Sequence, residues 1–265
     1  MALKTNIDKT PSEIRKLVDR QLRKDRKTHS GTFYLPNPVF TRRPKYFIVW
    51  QEPAFRENDL KWIKDGYLNS LFNFTDFIVH YCAFRFLCGN NYDYYMTDLS
   101  KGALKPKDAQ KKREKRYEDW RKVLEKEYEY FVEPVLIAMG TRVNKTLQDF
   151  GMSSELCFLH TSGQNNGRFV SEYSRHKSPA RLSSELKKNV KAFANDTMGK
   201  KLEYTGEMRA TIMGRLESTE VGPAHMGRYL YYKSKFSELS TLQSTRRAQR
   251  FVSVSEDWTQ IKSGV

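Results

Sequence analysis

The sequence predicts an α/β fold built on a single central, mostly parallel sheet flanked by helices. β-rich runs at 46–50, 91–98, 135–140 and 156–160 predict the strands. Segments with helical spacing separate them. This alternation favours parallel pairing, because a helical crossover brings the chain back to the same end of the sheet.

Helical, basic additions flank the predicted core. The stretch Thr10-Pro11-Ser12-Glu13 is typical of a helix start, with a threonine cap and a proline at the first helical position. The helix that follows has one apolar side and one basic side, so it could pack on the core or contact a polyanion. The 265 residues suffice for one large domain with such additions. We predict a basic N-terminal helix and arm at 1–45, an α/β core at 46–170, and a helical basic C-terminal extension packed on the core at 171–265.

Within the core, local signals place the helices between the strands. Segment 67–86 predicts a helix rich in aromatic residues. A charged stretch from residue 101 continues into a helix that Pro134 ends. Segment 141–150 predicts a short helix with Gly151 as its C-terminal cap.

Composition indicates an anionic partner. Lys and Arg total 47 against 31 Asp and Glu, which gives a net charge of +16 and favours nucleic acid. No apolar stretch approaches the roughly 20 residues that span a bilayer, and the polar start is unlike a signal peptide, so we expect a cytoplasmic protein with no membrane partner. The spacing of Cys82, Cys88 and Cys157 favours reduced core thiols over metal ligands.

Three predicted strands end at side chains that can do chemistry. Glu52 follows the first strand, Asp98 ends the second and His160 ends the last. Each alone is more often a cap or a loop residue. Parallel strands, however, bring their carboxyl ends to one edge, where open α/β sheets place their sites. The three together therefore predict a site.

The segments around these three residues resemble motifs of the uracil-DNA glycosylase superfamily and follow one another in the same order, so the chain resembles that superfamily over 46–169. The family's G-Q-D-P-Y motif is similar to Trp50-Gln51-Glu52-Pro53-Ala54. Its T-N-x-x-K segment is similar to Thr97-Asp98-Leu99-Ser100-Lys101, and its H-P-S-P-L loop to His160-Thr161-Ser162-Gly163-Gln164. Segment 134–140 resembles the family's penultimate strand and turn.

The resemblance implies a monofunctional DNA glycosylase that flips a nucleotide from double-stranded DNA and hydrolyses its N-glycosidic bond. It implies that Glu52 positions water and that His160 hydrogen-bonds the base, with no metal or cofactor. The iron–sulfur cluster of some relatives is not expected, because four suitably spaced cysteines are absent. We expect a monomer. The residues implied to recognise the base are Gln51, Ala54, Asp98 and Tyr67, with Phe72 and Phe74 as alternatives to Tyr67. Those implied to contact DNA are Ser162, Gly163, Gln164, Asn165 and Arg168.

Two departures from the family pattern predict the substrate. Uracil enzymes have asparagine where this chain has Asp98. An ionised aspartate can only accept hydrogen bonds, so opposite uracil O4 it would place two acceptors together, and uracil fits badly. Cytosine instead offers an amino donor. Ala54 replaces a tyrosine that crowds the C5 edge of the base. Together they favour a 5-substituted cytosine, such as hydroxymethylcytosine or its glucosylated form in phage DNA, and an anti-phage role.

Two other functions remain open. One is a glycosylase for a deaminated base, uracil or hypoxanthine, in which Asp98 is structural. The other is a DNA-binding module that keeps the fold without the chemistry, because Trp50, Glu52 and Asp98 all depart from the commonest pattern. Base release from defined duplexes distinguishes the three.

Overall fold

A computed structural model describes residues 10–28, 32–55, 69, 71, 73–131, 134–176 and 181–262, with side chains as far as residue 245. The described strands are β1 (Phe33–Tyr34), β2 (Tyr46–Trp50), β3 (Tyr94–Asp98), β4 (Gly102–Ala103), β5 (Val135–Met139) and β6 (Leu156–Phe158). The described α-helices are α1 (Ser12–Thr28), α2 (Phe74–Cys82), α3 (Pro106–Ala109), α4 (Arg113–Tyr130), α5 (Thr141–Asp149), α6 (Asn166–Arg175), α7 (Leu182–Ala192), α8 (Gly199–Lys201), α9 (Gly206–Ser218) and α10 (Pro223–Lys262).

The central sheet has four strands in the order β3-β2-β5-β6, and every pairing is parallel. β1 and β4 form a separate antiparallel pair. The predicted α/β class and the parallel sheet flanked by helices are confirmed. In the register, Trp50 lies opposite Asp98, so these two strands end at the same edge.

The sheet is buried on both faces because its strands are apolar at successive positions. Ile48 faces a cluster to which α2, α7 and α10 contribute. Phe47 and Val49 face the opposite way, against a cluster supplied by α4 and α5. Residues beyond 171 thus belong to the same hydrophobic core as the strands.

Most strand and helix signals lie where the sequence predicts them. α5 ends beside Gly151, whose φ of 78° suits glycine. The apolar side of α1 packs on α4, where Ile14 and Val18 contact Trp120 and Val123. The packing interpretation therefore holds for that side of α1.

Three predictions need comment. The helix expected at 67–86 begins at Phe74 in the described part of the chain. The Asn73 side chain caps it by accepting a 3.0 Å hydrogen bond from the Asp76 N–H. Residues 56–68, 70 and 72, among them Tyr67 and Phe72, lie outside the described part of the chain. The cysteines are free thiols, but Cys157 is exposed, so its prediction as a core thiol is wrong. Among the described helices, none has both the length and the apolar character of a membrane span.

Candidate active site

Three predicted residues come to the carboxyl edge of the sheet. Asp98 ends β3, Glu52 lies two residues beyond β2, and His160 lies two residues beyond β6. Gly140 directly follows β5, which lies between β2 and β6 in the sheet. Parallel pairing alone accounts for this convergence.

A polar cleft of about 880 Å³ opens at this edge and is called here the His160 cleft. The predicted residues that line it are Gln51, His160, Ser162, Gln164, Asn165 and Arg168. Arg113 and Arg142 also line it, and neither was predicted. Glu52, Ala54 and Asp98 are not among its lining residues.

Glu52 is held by two side chains of α4. Its side chain is 4% exposed, and Oε1 lies 2.6 Å from the Arg113 guanidinium. The Tyr117 hydroxyl donates to the other carboxylate oxygen. Burial, followed by the charge of Glu52, raises the pKa of Tyr117, so the phenol remains a donor. These contacts orient the carboxylate and connect it to the cleft through Arg113, which is one of the lining residues.

His160 is a neutral donor in a defined tautomer. Its Nδ1 accepts a 3.0 Å hydrogen bond from the Ser162 N–H, which leaves the ring proton on Nε2. Burial, followed by the charge of Arg113, lowers the pKa of His160 to about 4. At neutral pH the ring can therefore donate through Nε2 to a ligand without carrying charge.

Close packing sets the position of the His160 backbone. Gly140 has a φ of 107°, and a Cβ built there would lie 3.2 Å from the Cβ of His160. Any larger residue would crowd the ring and strain the backbone. The Asn165 amide donates to the His160 carbonyl at 2.7 Å, which ties the following turn, Gly163–Asn165, to it.

Helix α10 holds the same loop from behind. The Tyr232 hydroxyl donates to the Leu159 carbonyl at 2.6 Å, and the Leu159 N–H donates to Tyr231 at 3.0 Å. Arg228 donates to the Thr161 carbonyl at 3.0 Å. The C-terminal helix thus fixes the backbone on both sides of His160, which no motif in the sequence indicated.

Asp98 lies in a buried hydrogen-bond network. Its residue is 4% exposed, and Oδ2 accepts from the Asn69 amide at 2.5 Å. Lys101, 1% exposed, donates to the Asp98 carbonyl at 2.5 Å and pairs with Glu127 at 2.8 Å. Burial raises the pKa of Asp98 to about 7; Lys101 opposes the shift, whereas Glu127 and Glu52 add to it. Asp98 therefore takes up a proton at a much higher pH than an ordinary aspartate.

The other predicted residues are placed as follows. Ala54 is exposed and forms an isolated parallel bridge with Leu104. Gly163 and Gln164 are exposed in the turn after His160, and Arg168 is exposed in the first turn of α6. Within the described ranges, no three His, Cys, Asp or Glu side chains form a group that could hold a metal ion.

Comparison of the chain with protein-family models and with curated proteins gives no match.

Proposed function

We propose that this protein is a DNA glycosylase of the uracil-DNA glycosylase type that removes a modified base, a 5-substituted cytosine of phage DNA, and leaves an abasic site. The observation that carries the proposal is the placement of an oriented carboxylate, Glu52, and a neutral donor, His160, at one sheet edge beside a polar, arginine-lined cleft. Double-stranded DNA is the proposed partner, and an enzyme of this kind acts in the cytoplasm, where phage DNA is found.

The chemistry divides between the two groups. Water adds to C1′ as the N-glycosidic bond breaks, and the base leaves with the bonding electron pair. Glu52 orients the water and stabilises the positive charge that develops on the sugar. His160 donates from Nε2 to the base O2, where negative charge grows. The proton that the water loses as it adds to C1′ finally passes to the departing base.

A neutral histidine suits this task because it is already a donor at physiological pH. An imidazolium would need a proton from solvent, which burial and the Arg113 charge oppose. The donor also gains strength as charge develops, so it favours the transition state over the bound substrate.

Asp98 supports the cytosine assignment through its protonation. With a pKa of about 7, a large fraction of the carboxyl is protonated at neutral pH. The protonated form can donate to cytosine N3 while its carbonyl oxygen accepts from the N4 amino group. For this, the base must reach the edge of the network that holds Asp98.

A second candidate is a DNA-binding module without catalysis. Two observations favour it: both carboxylate oxygens of Glu52 already have protein partners, and Asp98 does not line the His160 cleft. A glycosylase for uracil or hypoxanthine, with a structural Asp98, is also compatible with the buried network.

The test is mass spectrometry of bases released from duplexes that carry cytosine, hydroxymethylcytosine, glucosylated hydroxymethylcytosine, uracil or hypoxanthine at one position. Glu52→Gln should keep DNA affinity and slow release by about a hundredfold or more, because it removes preorganised charge. Glu118→Gln, which removes an exposed carboxylate from α4, is the matched control. Release at the wild-type rate by Glu52→Gln contradicts the catalytic assignment, and no release from any duplex favours the DNA-binding module.

A further inference from the structure

Positive charge from three separate elements converges on the His160 cleft. Arg113 comes from α4, Arg142 from the first turn of α5 and Arg168 from the first turn of α6. Among the described lining residues, Glu114 alone is acidic. A cleft with this excess of positive charge concentrates an anionic ligand.

The three arginines differ in what they already bind. Arg113 is 16% exposed and pairs with Glu52 at 2.6 Å. Arg142 and Arg168 are exposed, and neither forms an ion pair with an acidic side chain in the part of the chain that the structure describes. Arg113 is thus committed to the protein, whereas the other two can take a ligand.

Arg142 also lies within electrostatic range of Tyr117, the hydroxyl that donates to Glu52. Arg168 follows the turn that begins directly after His160. Both exposed guanidinium groups therefore belong to the lining of the cleft that contains His160.

We propose that Arg142 and Arg168 form a subsite for a backbone phosphate of DNA, adjacent to the nucleotide that His160 contacts. The identity of that nucleotide rests on the proposed function. A guanidinium binds two phosphate oxygens through charge-assisted hydrogen bonds. Phosphate contacts fix the position of a duplex without reading its sequence, so this subsite sets which nucleotide reaches His160.

The test uses duplexes with one uncharged methylphosphonate linkage, moved stepwise around a fixed abasic-site analogue that cannot be cleaved. Dissociation constants are measured at one salt concentration for the wild type, Arg142→Gln and Arg168→Gln. Lys145→Gln on α5 and Arg175→Gln on α6 are matched controls, because each removes one positive charge from the same helix outside the cleft lining. Circular dichroism shows whether each variant is folded, and Arg142→Met and Arg168→Met, which also remove the charge, replace any variant that is not.

We expect at least one linkage at which the neutral analogue weakens wild-type binding by about tenfold or more. The two arginine variants should already bind the unmodified duplex more weakly than the wild type. The neutral linkage should therefore weaken their binding much less than it weakens wild-type binding. The two control variants should show the same weakening as the wild type. Equal losses in the wild type and both arginine variants at every linkage would overturn the subsite, as would a control that also loses the effect, or no binding of DNA at all.

This measurement is independent of base release. A protein that shows the linkage effect but releases no base from any duplex has the phosphate subsite and is not a glycosylase for those bases. A protein that releases a base without any linkage effect is a glycosylase and lacks the subsite.

Discussion

Replacing Arg113 by glutamine tests whether this side chain organises both Glu52 and His160, the two residues proposed to be catalytic. The pair with Glu52 joins a carboxylate that is 4% exposed to a guanidinium that is 16% exposed, at 2.6 Å. Removal of one partner from a buried pair costs about 3–5 kcal/mol of stability. The Tyr117 hydroxyl still binds Glu52 and Arg113 is partly solvated, so we expect the lower end, about 3 kcal/mol, by urea denaturation at pH 7.

The same change should alter the titration of His160. The Arg113 charge lowers the pKa of His160, but burial is the larger cause and remains after the substitution. The pKa should therefore rise from about 4 and stay below the ordinary value of 6.5. The ring signals of His160 in NMR spectra, followed from pH 3 to 8, report this directly and need no substrate.

The sign of the associated stability change follows from proton linkage. The folded protein holds His160 at a pKa below that of the unfolded chain, so the unfolded state binds more protons between about pH 4 and 6.5. The wild type should lose stability as the pH falls through that window. In Arg113→Gln the window is narrower, so the contribution of His160 to this loss should be smaller.

Two variants control the experiment. Arg113→Lys keeps a positive charge and should restore most of the His160 shift. Lys115→Gln removes a charge from the same helix. The Lys115 side chain is 69% exposed and pairs with Asp119 at the surface, so this variant should change stability by less than about 1 kcal/mol. A His160 titration that is identical in the wild type and Arg113→Gln would refute the reasoning.

Three further predictions address recognition and the His160 loop. If protonated Asp98 reads cytosine, base release should fall as the pH rises through about 7. Asp98→Asn should abolish that pH dependence. It should also shift the ratio of modified cytosine to uracil release about ten- to hundredfold toward uracil, measured by competition between duplexes. Ala54→Tyr should suppress release of a bulky 5-substituted cytosine at unchanged DNA affinity; unchanged release rates would mean that exposed Ala54 does not face the base. Tyr232→Phe deletes the 2.6 Å hydrogen bond to the Leu159 carbonyl, so it should lower stability by about 1 kcal/mol and reduce kcat more than DNA affinity, whereas equal effects on both would contradict a role in placing His160.

The elements at the sheet edge were predictable because their signals are local. Apolar runs closed by Pro53 or Gly140 mark strand ends, and parallel pairing then forces those ends to one side. Gly151 is a local signal of the same kind: it marks the end of α5, because a left-handed cap favours glycine. Glu52 and His160 could therefore be placed at one edge from the predicted strand ends and parallel pairing.

The partners of those residues were not predictable, because they come from distant parts of the chain. Tyr117 reaches Glu52 across 65 residues, and Tyr232 reaches Leu159 across 73. Amphipathic spacing on α4 shows which side of the helix is buried, but not which loop meets its first turn. The sequence also does not show that Arg113 forms an ion pair with Glu52 whereas Arg142 is exposed.

A single face of α4 connects the two halves of the candidate site. Near its start, Arg113 and Tyr117 hold Glu52; near its end, Glu127 pairs with Lys101 and accepts from Thr97, next to Asp98. A shift of this helix would move the carboxylate and the charges around Asp98 together, because helices are rigid over such lengths. The orientation of the Glu52 carboxylate and the protonation of Asp98 are consequently set by one element that lies outside the segments around Glu52, Asp98 and His160.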